Sequence, residues 1–163
     1  MSRVASLRQL QFIQEIVDNK LRQRHDILIF PKINPVKLSL DDFLLKPVLI
    51  CSPDELIDGG KLLCTCKKVL THDGWAEARY LHTLHEGYYV KQRKYKCTKC
   101  IDYGGKTKHI SGLHSLELPS VSDGIRFMFP IFEKKNSLIY RDVINYIVSD
   151  ALTGTAWKWP MLL

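Results

Sequence analysis

No apolar run in this chain approaches the about 18 residues that a membrane-spanning helix needs, so a helical membrane protein is not expected. Met1 to Lys20 mixes charged and apolar residues throughout and lacks the continuous apolar core of a secretory signal. The five cysteines are an odd number, which excludes a fully paired disulfide framework. Internal repeats and low-complexity tracts are missing too. So are HExxH, HxE followed by PCxxC, and a Gly-rich phosphate loop, which removes the common zinc-hydrolase, deaminase and nucleotide-binding signatures. No Ser–His–Asp or Cys–His arrangement follows from spacing. Together these absences lead us to expect a non-enzymatic protein of a reducing compartment, the nucleus more than the cytoplasm.

Acidic residues are scarce in one place. Residues 91–108 hold Lys91, Arg93, Lys94, Lys96, Lys99, Lys106 and Lys108 against the single acid Asp102. The whole chain of 163 residues carries 24 Lys and Arg against 17 Asp and Glu, a net charge of +7, so most of the surplus sits in this stretch. A local excess of this kind draws phosphate backbones, although a solvated face has the same composition. With 45% hydrophobic and 25% charged residues, the chain lies in the globular range.

Val4, Leu7, Leu10, Ile13, Val17 and Leu21 recur at three- and four-residue steps, predicting an amphipathic helix over 4–23. Residues 27–30 and 47–51 are short apolar runs that read as strands. Pro31, Asn34 and Pro35 mark an irregular connector between an N-terminal arm, 1–35, and a module over 36–152. Ser52-Pro53-Asp54-Glu55 has the form of a helix start, and Gly59-Gly60 ends it. Residues 75–84 and 88–96, with Glu86-Gly87 between them, predict a β-hairpin. On it Tyr88, Val90, Gln92 and Lys94 share one face, and Tyr89, Lys91, Arg93 and Tyr95 the other. Residues 103–109 read as a loop, a short helical turn falls within 116–130, and helical spacing returns over 138–152. The end, 153–163, is apolar and reads as truncated.

Two close cysteine pairs carry the chemistry: Cys64-Thr65-Cys66 and Cys97-Thr98-Lys99-Cys100. The two-residue gap of the second lets both thiolates meet one ion from a tight turn. The one-residue gap of the first needs the backbone to turn between its cysteines, and Cys51, His72 or His82 are alternatives for one of its positions. Four thiolates would close the shell around one Zn²⁺, leave no position for substrate and make the ion structural. Cys51, directly after Val48-Leu49-Ile50, also fits a buried small hydrophobe.

Gly74-Trp75, Arg79, Glu86-Gly87-Tyr88-Tyr89-Val90 and Arg93-Lys94-Tyr95-Lys96-Cys97-Thr98-Lys99-Cys100 form a set with Leu118-Pro119 and Phe129-Pro130. Over about residues 40–152 that set resembles an uncharacterised domain of transposon-derived proteins, mainly fungal. The resemblance implies a zinc-binding recognition module of a mobile element. Cys66, Cys97 and Cys100 match its pattern, whereas its first cysteine would fall on Leu63. The expected fold is α+β, a small zinc-ribbon-like β-hairpin module with flanking helices. The expected function is non-catalytic binding of nucleic acid, DNA more than RNA, by Lys91, Arg93, Lys94, Lys96, Lys99, Lys106 and Lys108 around one structural Zn²⁺ on Cys64, Cys66, Cys97 and Cys100. The alternative is a protein-interaction module that uses residues 4–23 or 157–163.

Overall fold

The computed structural model describes residues 5–18, 23, 26–31, 44–84, 87–134 and 137–152. The expected domain boundary near Pro35, the turn at Glu86 and the 153–163 tail lie outside them. Among the described residues no helix is long and apolar enough to cross a membrane.

Helix α1 runs Leu7–Val17, within the expected 4–23. Ser6 caps it, its hydroxyl accepting from the Gln9 amide at 3.1 Å, which satisfies one of the free donors of the first turn. Strands β1 (Leu28–Ile29) and β2 (Val48–Cys51) lie where the apolar runs predicted. The Ser52-Pro53 start gives only a 3₁₀ turn, Pro53–Leu56, because the Ser52 hydroxyl is spent on Asp54 at 3.0 Å instead of capping.

Strands β3 (Thr71–Trp75) and β4 (Arg79–His82) run antiparallel to the 14-residue β5 (Tyr88–Ile101). The expected hairpin is therefore present, but it does not stand alone. The N-terminal part of β5 lies between β4 and β2, the latter parallel to it, and its C-terminal part lies between β3 and β6 (Thr107–Ser111). Residues 107–109 are thus strand, not loop. After α2 (Gly112–Ser115) and α3 (Asp123–Phe127), β7 (Ile131–Lys134) and β8 (Ser137–Tyr140) form a hairpin joined to β4 through β8. Helix α4, Arg141–Leu152, begins three residues later than the spacing from Leu138 suggested, because Leu138 is a fully buried strand residue. Among the described residues the fold is α+β, with eight strands in one curled sheet.

The sheet separates two apolar clusters. Val48, Ile50 and Tyr89 pack with Ile29 and with Phe12, Ile13 and Ile16 of α1. Leu49, Cys51 and Val90 join the larger cluster, with Leu62, Leu81, Leu113, Val121, Phe129 and Leu138. Alternation along β2 makes this partition, since successive side chains leave opposite faces. Gln9 anchors α1: its amide donates to the Lys46 carbonyl at 3.1 Å and accepts from the Lys46 N–H at 2.7 Å.

One face assignment changes. Val90 and Tyr95, which two-residue alternation places on opposite faces of β5, both belong to the larger cluster. Between them β5 exchanges one set of neighbours for the other, and β3 carries an irregularity there, His72 pairing Tyr95 while Trp75 pairs Arg93. Such a bulge bends the ladder and re-aims the residues beyond it.

Gly112 is where α2 meets the sheet. A Cβ there would stand 2.5 Å from the Cys51 carbonyl oxygen, a backbone atom that cannot step aside. Gly112→Ala should lower stability by about 1–3 kcal/mol, seen as a reduced urea midpoint. An unchanged midpoint would mean that this contact is slack.

Candidate metal centre

The first cysteine pair sits in a tight hairpin. Leu63 bridges Val69, the Leu70 amide donates to the Leu62 carbonyl at 2.8 Å, and the Cys64 amide donates to the Lys68 carbonyl at 2.9 Å. Inside it the Lys67 amide donates to the Cys64 carbonyl at 2.8 Å, and Lys67 takes a left-handed φ of 65°. That sharp turn is what the one-residue gap needs for both thiols to face one point. Ser120 holds the hairpin from outside, its hydroxyl accepting from the Leu63 amide at 3.0 Å and donating to the Leu63 carbonyl at 3.3 Å.

The second pair is a bulge inside β5. Cys97 pairs with Lys108 and Ile101 with Thr107, so four steps along β5 are matched by one step along β6. The residues between leave the ladder as a turn whose amides, from Lys99 and Cys100, donate to the Cys97 sulfur.

The four thiols meet. Every Sγ lies within 4.8 Å of the others, with Cys64 to Cys100 at 3.8 Å and Cys66 to Cys97 at 3.5 Å. A tetrahedral ion with metal–sulfur bonds of about 2.3 Å has sulfur–sulfur edges of about 3.8 Å. The four cysteines can therefore hold one metal ion. Cys51, His72 and His82 stand apart from the group. Cys51 is fully buried in the apolar core, and burial pushes its thiol pKa up. His72 is bonded to Asp54 at 2.8 Å, and His82 meets the edge of Tyr80 at 5.0 Å.

Burial opposes ionisation of Cys64, but the Cys66 amide, the Thr65 hydroxyl and the thiols of Cys97 and Cys100 outweigh it and bring its pKa down to about 6. Cys97 is also lowered: burial is overcome by the Lys99 and Cys100 amides and the neighbouring thiols. Cys100 is pushed up to about 12, because it donates to Cys66 and Cys97. Metal binding at such a cluster requires the thiols to give up their protons.

Beside the centre lies a buried polar network that the sequence did not announce. The Asp54 carboxylate accepts from the Tyr95 hydroxyl, from His72 Nε2 at 2.8 Å and from Ser52 at 3.0 Å. Burial alone would raise the Asp54 pKa, yet these donors and the field of His72 hold it below its ordinary 3.8. Burial and the Asp54 charge raise Tyr95. Tyr95 is two residues from Cys97 and 1% exposed, so the network supports the thiol-bearing part of β5.

The seven basic residues separate in space. Arg93 is committed inward: it pairs with Glu55 at 3.0 Å and lies 4.1 Å over the Trp75 ring. Lys91 is partly buried, and that burial lowers its pKa, with Glu77 opposing and Lys94 assisting. Lys94 and Lys96 stand opposite Ser111 and His109 in the ladder, and Lys96 lies 3.8 Å from Asp73. Lys99 and Lys106 are exposed, while Lys108 is half-buried on β6. Lys67 and Lys68, beside the first thiol turn, add two exposed cations outside the expected set.

Two further histidines are not isolated. His109 Nδ1 is bonded to Asp73 at 2.9 Å, a pair 36 residues apart that only the β3–β5–β6 order brings together. His114 Nδ1 lies 2.8 Å from the Ser111 hydroxyl and 3.7 Å from Glu133. A hydrolase relay needs the serine and the carboxylate on different ring nitrogens. Here both face Nδ1, and the Ser111 hydroxyl also caps α2.

No protein-family model matches the chain, nor does any curated protein or solved structure.

Elemental analysis should find one metal ion per chain, lost in Cys64→Ser, Cys66→Ser, Cys97→Ser and Cys100→Ser but kept in Cys51→Ala; loss in the last would place Cys51 in the shell. Asp54→Asn should cost about 1–3 kcal/mol at neutral pH, the price of a compromised buried network. A carboxyl with a lowered folded pKa stabilises fully above its unfolded value, and that contribution is lost as pH falls through the folded value. The gap between Asp54→Asn and wild type should therefore close on acidification below the ordinary 3.8. A gap constant through acid would remove the carboxylate from this role.

Proposed function

We propose that the four cysteines hold one structural Zn²⁺, and that this zinc-ribbon-like centre rigidifies a non-catalytic module that binds nucleic acid, DNA rather than RNA, in the nucleus. The observation that carries this reading is the closure of two thiol turns on one point, at the border of a lysine-bearing sheet surface. Four sulfurs fit zinc, and iron is the competing ion for such a shell. Four thiolates leave no open position for substrate, and Ser111 and His114 lack the geometry of a relay, which supports a non-enzymatic role. The resemblance to transposon-derived domains fits the same role, a recognition module of a mobile element.

Arg93 is already committed to Glu55 and Trp75, and burial disfavours the charge of Lys91, so the phosphate contacts are assigned to the exposed Lys99 and Lys106 together with Lys94, Lys96 and Lys108. Phosphate neutralisation releases condensed counterions, so affinity must fall with salt. Those five contacts correspond to a slope of log K against log[salt] of about −4 to −5. A fluorescence titration of duplex and single-stranded oligonucleotides over a salt series reads it directly. Lys99→Glu with Lys106→Glu should flatten the slope by about 2. Absence of binding at low salt, or a flat slope in the wild type, would sink the proposal.

A second reading, a protein-interaction module, is favoured by α1. Phe12, Ile13 and Ile16 face the sheet, while Leu7 and Leu10 remain 74% and 49% exposed. Residues 157–163, the other expected contact, lie outside the described residues. Deleting α1 would tear out core, so the point variant Leu7→Glu/Leu10→Glu is the informative one. Under this reading light scattering should find a self-associated wild type and a monomeric variant, and a monomer in both cases would remove a second copy as the partner.

A further inference from the structure

The β5–β6 ribbon continues beyond the Cys97–Cys100 turn to a tip at 102–106 whose shape is fixed from within. The Asp102 amide donates to the Lys106 carbonyl at 2.7 Å, and the Gly105 amide, at φ 75°, donates to the Asp102 carbonyl at 3.1 Å. The Asp102 carboxylate accepts from the Gly104 and Lys106 amides, both at 2.9 Å. The single acid of the basic stretch is therefore a turn device. On this ordered tip stand two large apolar side chains in open solvent: Ile101, 70% exposed, and Tyr103, fully exposed. They line one shallow depression with Asp102, Lys108 and His109, and His109 is oriented by Asp73. Lys108 and His109 also line the adjoining depression, which runs along β6 past Ser111 and His114 to Thr65 of the first thiol turn.

From this we infer that the ribbon tip is a stacking seat for an unpaired base of single-stranded DNA, with Tyr103 and Ile101 against the base face and Lys108 beside its phosphate. The inference rests on the nucleic-acid reading and deepens it. Phosphate attraction alone gives no use to two exposed apolar side chains on an ordered turn. A base face does, because an aromatic platform beside cations is how single strands are held without sequence readout. The charge is complementary: Lys108 lines the seat, and the exposed Lys99 and Lys106 lie within a few residues of it along the chain. A duplex would have to be unstacked, at a few kcal/mol per step, before a base could reach it. An unpaired base arrives with its face already free.

The test uses the full chain and labelled oligonucleotides of about 12 nucleotides, within the span of such platforms, as single-stranded DNA, as RNA of the same sequence and as duplex DNA. Wild type should bind the single-stranded DNA most tightly. Tyr103→Ala should weaken that binding about 5- to 150-fold, the size of one base stack, with the salt slope and metal content unchanged. Tyr103→Phe and Tyr103→Trp should retain affinity, because the ring and not the hydroxyl is required. Full affinity in Tyr103→Ala with the salt slope intact would overturn the stacking seat and leave the nucleic-acid reading standing. Tighter binding to RNA or duplex would overturn the assignment to single-stranded DNA. No salt-dependent binding to any of the three would overturn both.

Discussion

The hydrogen-bond ladder of β5 holds the rest of the molecule in place. Four strands are bonded to it, β2 and β4 along its first part and β3 and β6 along its second. Its residues enter nearly every feature that matters: Tyr89 and Val90 join the two apolar clusters, Arg93 and Tyr95 hold the buried carboxylates, and Cys97 and Cys100 supply half of the thiols. Up to Lys96 the strand has neighbours on both edges and little freedom to fray. Its thiols stand just beyond that two-edged part, where β6 alone pairs Cys97 and Ile101.

The buried charges are disposed to the same end. Glu55 and Asp54 lie in one 3₁₀ turn and each takes a partner from β5, Arg93 and Tyr95. An isolated carboxylate in this environment would be expensive, and satisfied donors turn it into a specific clamp between the turn and the strand. The clamp fixes β5 two residues before Cys97, and Ser120 fixes the opposing hairpin at Leu63 beside Cys64. Both halves of the thiol cluster are thus tied to the larger core by polar contacts adjacent to a cysteine.

Much of this was legible in the sequence where a single period dominates. Apolar spacing gave α1, short β-branched runs gave β1 and β2, and the cysteine spacing indicated the four thiols. Strand β6 escaped because Ile110 is its one buried residue: Thr107, Lys108, His109 and Ser111 form a pattern that polar loops share. Leu138 to Tyr140 were absorbed into the helix because a short apolar run has no period of its own. Strand alternation already separated Lys94 from Lys91 and Arg93, but composition reports charge and not what each side chain meets. Only the sheet reveals that Arg93 turns to Glu55 while Lys94 and Lys96 stand across from Ser111 and His109. Asp73 with His109, and Asp54 with His72 and Tyr95, depend on strand order and carry no local signal at all.

The thiol-bearing bulge in β5 has a consequence for how the chain can vary. Because the β5–β6 ladder is interrupted between Cys97 and Ile101, the pairing register on the core side of the bulge does not depend on the register beyond it. Residues 101–107 form an appendage whose length and composition can drift without shifting a single pair among Lys94, Tyr95, Ser111 and Ile110. In mechanical language the bulge is a coupling that transmits position but not phase. Substitutions and insertions at the outer end can alter what the protein touches, and the inner sheet would keep the same alignment.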